Sequence, residues 1–479
     1  MRTTRIASLA LIGLLLVAVT ASAAVKMPAL FGDGMVLQQQ KPVPVWGWAD
    51  AKQEVTVKFA GQEKKATADD KGKWIVKLDA LKVNTKPAVM TITAGDETVE
   101  IKNVLVGEVW LCSGQSNMEW TVGGCNAPDD IAAAKYPLIR TIKVPHTPSA
   151  EYLDDFQGSW TACDPSTVAR FTAVGYFFAR KIHKELGVPV GLVNSSWGGT
   201  RIEPWVHRCG FAAVPELREL ADKTFEAKNH QEPTVLQKGM IAPLVPMAIR
   251  GALWYQGESN GSEGVSYYHK KQALIGGWRR IFQQGDFPFY FVQLANFQQP
   301  NTDPKGGDGW ARLREAQLHT LQIPNTGMAV ITDIGDARDI HPKNKQDVGL
   351  RLALWALAKD YDKKDLVYSG PLYKSMKVEG DKIRIALDCV GGGLIVGKKE
   401  GRKPVEEVKD GELTWFSIAD ADQNWHHAKA VIDGDTVVVS CDEVKTPAAV
   451  RYAFTINPEG SNLYNKEGLP ASPFRTDSW

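Results

Sequence analysis

The sequence has no surplus of charge of either sign. Lys plus Arg number 56 against 55 Asp plus Glu, a formal net charge of +1. No basic block breaks that balance, which argues against nucleic acid as a partner. The six cysteines, Cys112, Cys125, Cys163, Cys209, Cys389 and Cys441, include no C-x-x-C pair, so zinc-site and thiol-redox motifs are missing. Beyond the N-terminus no apolar run reaches the roughly 20 residues a membrane-spanning helix needs. No long apolar lid segment of the lipase kind is visible either.

What is present begins with a leader. Arg2 and Arg5 precede an almost wholly apolar run over 7–19, and Ala21-Ser22-Ala23 offers a small-residue cleavage site. That order predicts a signal peptide over 1–23 and an exported protein, periplasmic or extracellular. No Cys follows the cleavage site, which argues against a lipid anchor. In an oxidising compartment Cys389 and Cys441 are an attractive pair, although spacing does not fix connectivity. The 15 tryptophans are a high count; indole faces stack well on sugar rings, but ordinary core positions account for most.

Residues 24–102 alternate apolar and polar residues with Gly, Asp and Asn at the turns, the period of half-buried strands. Residues 366–479 resume that style, with Gly-Asp hairpin turns in KVEGDKIRIAL and AVIDGDTVVVSC. Between them, over 103–365, five apolar strands near 104–112, 188–195, 249–255, 287–294 and 327–334 alternate with helices near 167–186, 266–284, 310–322 and 344–361. That alternation predicts an α/β doubly wound domain with parallel strands covered on both faces.

Open parallel sheets bind ligands beyond the carboxyl ends of their strands. The segments there are SGQSNMEW, SWGGTRIEPW, QGESN, ANFQQ and GDARDIHP. Ser116 is the candidate nucleophile, weak until a base takes its proton. The alternative, a helix-capping serine, is common. Met118 rules out the G-x-S-x-G elbow around Ser116. His341 is the candidate base, with Asp339 the nearest carboxylate to orient it and Asp336 the second choice. The Ser116 amide, Gly198 or Gly199, and Gln256 are candidate oxyanion donors. Asn117, Arg201 and Glu258 are candidate substrate contacts: Arg201 for a substrate carboxylate or, equally, for a scaffold pair with Glu203. Glu258 with Asp339 would suit a two-carboxylate glycosidase, a reading that leaves Ser116 and His341 unexplained. Neighbouring His426 and His427 point to opposite faces of a strand, so no metal site is expected there.

The blocks GQSNM (114–118), NSSWGGTRIEPW (194–205), WYQGESN (254–260), DIHPKNKQDVGLRLA (339–353) and NLYNKEGLPASPFRTD (462–477) resemble the sialate O-acetylesterase family of the SGNH-hydrolase superfamily. The resemblance spans nearly all of the chain after the leader. It implies a flavodoxin-like three-layer α/β/α domain with flanking β-rich regions, hydrolysing acetyl esters on sugars without metal or cofactor. By position it places the nucleophile at Ser116, the base at His341 and the second-block glycine at Gly198 or Gly199. Two positions depart from the superfamily pattern. QGES stands where G-x-N-D would supply an Asn, which leaves Gln256 as substitute donor, and D-x-x-H would put the acid at Arg338, which leaves Asp339. Acetylated sialic acids and acetylated xylan or xyloglucan are the substrates such relatives suggest. A non-catalytic carbohydrate-binding protein is the alternative from another class.

Overall fold

A computed structural model describes residues 25–479; the expected leader over 1–23 lies outside the described residues. The N-terminal region is built of strands alone, as its alternation predicts. Val43–Trp48 pairs antiparallel with Lys73–Leu78, and Glu54–Phe59 pairs with Gln62–Thr67 and with Asn84–Ala94. Val55, Val57, Trp74, Val76 and Leu78 point inward, each at the period-2 position that the pleat requires.

The next strand runs unbroken from Glu97 to Gly114. Its first half pairs antiparallel with Asn84–Ala94 and its second half is the centre of a parallel sheet. Across that sheet the order is Thr326–Ala329, Phe289–Val292, Gly251–Tyr255, Glu97–Gly114, Val190–Ser196 and Tyr136–Lys143, with Thr161–Cys163 antiparallel at the edge. Tyr136–Lys143 was not anticipated. Its sequence, YPLIRTIK, carries Arg140 and Lys143 within the strand. Arg140 is nevertheless buried, because its guanidinium donates to the carbonyls of Gly34 and Asn103 at 2.7 and 2.5 Å.

The expected helices form at Ala173–Leu186, Val265–Phe282, Gly309–His319 and Lys345–Asp360. Gly187 ends the first in the left-handed conformation, a C-terminal stop that glycine reaches without a Cβ clash. Trp110 packs on Phe178 of that helix and on Tyr290, which meets Trp355 of Lys345–Asp360. Trp254 and Phe289 point the other way, against Trp278 of Val265–Phe282. Helices therefore lie against each face of the sheet, and its strands are buried on both sides.

The C-terminal region returns to strands, including the two hairpins Leu372–Glu379/Lys382–Asp388 and Lys429–Asp433/Thr436–Ser440 around their Gly-Asp turns. Fully buried Arg314 ties it to the centre, donating to the carbonyls of Leu294, Ala295, Thr455 and Ile456. All six cysteines are free, so Cys389 and Cys441 are not bridged.

Candidate active site

The chain crosses from the central strand Glu97–Gly114 first to one neighbour, Val190–Ser196, and later to the other, Gly251–Tyr255. Such a reversal opens a crevice at the strand's carboxyl end. Gly114 closes that strand with φ of +134°, and a Cβ there would lie 2.1 Å from the Tyr255 carbonyl oxygen. Glycine alone fits. Gln115 follows; its side-chain oxygen accepts from the amide of Ser259 at 3.2 Å and joins this turn to the third block.

Ser116 is the first residue of the one-turn helix Ser116–Glu119, whose cap position is Gln115. Its hydroxyl is therefore not spent on capping. It lies 2.9 Å from Nε2 of His341. His341 sits on the loop between Thr326–Ala329 and Lys345–Asp360, and its Nδ1 lies 3.2 Å from Oδ1 of Asp339. The same oxygen accepts the His341 backbone N–H at 2.9 Å, so the D-x-H spacing folds the acid directly under its imidazole. Asp336 instead accepts the Arg338 backbone N–H within its own turn. Upstream, Asp333 makes a bidentate pair with Arg351 at 2.6 and 2.7 Å, which pins the start of this loop to the helix behind it. Trp120 stacks on the His341 ring at 4.8 Å and 20°.

Several sequence assignments need correction. Gln256 is fully buried, and its amide donates to Thr200 O and Asn260 Oδ1 while its oxygen accepts from Tyr267. It is scaffold, with no N–H left for an oxyanion. The Gly198 N–H donates to Oε2 of Glu119 at 2.8 Å. The amides of Ser116 and Gly199 remain: Ser116 begins its helix and so has no intrahelical acceptor. Gly199, at φ +75°, has open space where a Cβ would project.

Arg201 pairs with Glu203 and Glu263, which Lys270 also joins, so its charge is answered within the protein. Asn117 is fully buried: it donates to Glu258 Oε1 at 2.5 Å and to the Ile340 carbonyl at 3.1 Å, and accepts from Lys345 Nζ. It joins the nucleophile turn to the histidine loop rather than meeting substrate. Glu258 turns one oxygen to Asn117, and the other is buried without a partner. Burial pushes its carboxyl above the usual range. Ser259, in the sequence GESNG, donates to the Gly199 carbonyl and touches no histidine.

Glu119, Trp120 and Lys345 are the site residues that sequence reasoning missed, although the first two stand in SGQSNMEW and the third in DIHPKNKQD. Glu119 holds Gly198 with one oxygen and His146 and Lys143 with the other. Burial lowers the Lys345 ammonium to about 7. The unfolded chain keeps that proton to about 10.5, so between these values unfolding takes up a proton, and rising pH favours the folded state. Urea unfolding should therefore show the stability of the wild type over Lys345→Met growing from pH 7 to pH 10. A gap that shrinks would contradict this. Among the described residues His426, Cys441 and Glu443 bring their donor atoms within 4.8 Å of one another, in the C-terminal region rather than at Ser116.

A hydroxyl, an imidazole and a carboxylate in line, beside free amides, can carry acyl transfer. The comparisons with known proteins agree in kind. A family model described as carbohydrate esterase, sialic acid-specific acetylesterase, matches residues 106–357. The sialate O-acetylesterase of Rattus norvegicus is 33% identical over 517 residues, 93% of this chain and 93% of that protein. That of Homo sapiens is 31% identical over 499 residues, 94% of this chain and 92% of its own. A solved structure described as a novel carbohydrate acetylesterase from Xanthomonas citri superposes with a TM-score of 0.86 at 40% identity, covering 95% of this chain and 100% of that one. This chain belongs to the carbohydrate esterase family of sialic acid-specific acetylesterases.

Proposed function

We propose that this protein removes acetyl groups from sugar hydroxyls through an acetyl-enzyme on Ser116. His341 takes the Ser116 proton as its oxygen attacks the acetyl carbonyl, and returns it to the leaving sugar hydroxyl. Asp339 holds the imidazole tautomer and balances its charge. The amides of Ser116 and Gly199 receive the carbonyl oxygen as it gains charge. Water activated by His341 then releases acetate. The observation that carries this reading is the 2.9 Å contact between Ser116 Oγ and His341 Nε2.

The five strands expected from sequence stand in the order 2-1-3-4-5, with helices against each face. That order supports a flavodoxin-like three-layer SGNH domain over 103–365 between β-rich regions 24–102 and 366–479. The basic-apolar-small leader supports export to the periplasm or beyond.

Asp339→Asn should lower kcat on p-nitrophenyl acetate by about 10²-fold or more, since the wrong tautomer then faces Ser116. Asp336→Asn should stay within about twofold, as its carboxylate serves only its own turn. Equal losses from the two would remove Asp339 from the mechanism.

A second reading of the substrate has its own support. With Arg201 answered by Glu203 and Glu263, the cation expected to hold a sialate carboxylate is engaged, which favours neutral acetylated polysaccharides such as xylan or xyloglucan. Acetate release from O-acetyl sialic acid, acetylxylan and acetylated xyloglucan separates the two readings.

A further inference from the structure

The outer face of the pair Val43–Trp48 and Lys73–Leu78 carries side chains that catalysis leaves unused. Val43, Val45, Val76 and Leu78 point inward. The register sets Trp46 opposite Ile75 and Trp48 opposite Lys73 on the other face. Indoles two residues apart on one strand stand roughly 7 Å from each other. Both are only partly buried, and Ile75 beside them is 52% exposed. Contiguous apolar surface of this kind marks contact sites on soluble proteins.

The face is also concave. A cavity of about 450 Å³ lies between these strands and the segment from Ala242 to Pro246, with Thr67, Asp69 and Asp154 among its lining. That volume falls within the span of small-ligand sites, about 300–1,000 Å³. Trp46 is held by edge packing on Phe31, ring centroids 4.7 Å apart, and Trp48 by the Lys26 ammonium 5.1 Å from its centroid. Those contacts fix both rings in place.

We propose that this cavity binds a neutral glycan chain, as a carbohydrate site additional to the one at Ser116. The indole faces meet the C–H faces of successive sugar rings. The oxygens of Thr67, Asp69 and Asp154 accept hydroxyl protons. Charge selects against acidic sugars: Lys73 of the lining pairs with Asp154 at 2.7 Å, Lys26 beside Trp48 faces Asp155 at 3.7 Å, and Asp69 adds another negative charge.

Affinity electrophoresis of the full chain through gels containing deacetylated xyloglucan, deacetylated xylan or polysialic acid tests this without any acetyl ester present. The wild type should be retarded by at least one of the two neutral polymers and not by polysialic acid. Trp46→Ala with Trp48→Ala should weaken that retardation at least tenfold. Ile75→Arg, which fills the groove from an exposed position and removes no packed indole, should do the same. Turnover of p-nitrophenyl acetate should stay within twofold in both variants. Free migration of the wild type through both neutral polymers, unchanged retardation in Ile75→Arg, or tighter binding to polysialic acid would each overturn the proposal. Because binding is read on deacetylated polymer, failure of the Ser116 mechanism would leave this result unaffected.

Discussion

Ser116→Ala should lower kcat on p-nitrophenyl acetate by about 10⁴-fold or more, with the melting temperature unchanged within about 2 °C. The size of the loss follows from the chemistry. Without the hydroxyl there is no acetyl-enzyme, and His341 is left to activate water at a site shaped for a serine oxygen. Stability should hold because the Ser116 hydroxyl bonds the His341 imidazole rather than the fold, and the helix cap is Gln115. Ser259→Ala is the matching control. Its hydroxyl donates to the Gly199 carbonyl alone, and activity should remain within about threefold of wild type. If the Ser116 variant stays active and the Ser259 variant does not, the nucleophile has been misplaced.

Gly114→Ala should cost about 3 kcal/mol or more of stability and at least about 10² in kcat. The added methyl would meet the Tyr255 carbonyl oxygen at 2.1 Å and its carbon at 2.7 Å. Neither can step aside, since Gly114 is in register with Ser196 on one side and Tyr255 on the other. The φ of +134° adds strain that a Cβ cannot escape. The neighbouring strand must part from the nucleophile turn, and Ser116 moves with it. Urea unfolding and esterase kinetics on the same preparation check both halves. A variant that melts with the wild type and turns over at its rate would show that the turn tolerates the methyl.

The fold was legible where one period ruled a segment. The alternation in EVTVKFAG and the apolar run in VLVGEVWLC each report a local environment, and both became strands. YPLIRTIK was lost because burial of Arg140 depends on carbonyls from Gly34 and Asn103, more than 30 residues away in sequence. The site followed the same rule. Ser116, His341 and Asp339 were legible as candidates because they follow strand ends, which sequence order reveals. Gln256, Asn117 and Arg201 stand there too, but their hydrogen-bond partners come from other segments, and those partners decide whether an amide or a guanidinium is free. Residue type gave the capacity for the role, and only the fold says how that capacity is used.

The 18-residue strand Glu97–Gly114 bears on how this protein could be cut or recombined. A break at residue 103, where composition changes, falls within the strand rather than in a linker. A fragment starting there would lose the partner rungs Val36–Gln38 and Asn84–Ala94 and present an open sheet edge to other copies of itself. The same rod ends two residues before Ser116. Grafting the proposed catalytic centre onto another scaffold would therefore mean carrying the N-terminal strands with it as its foundation.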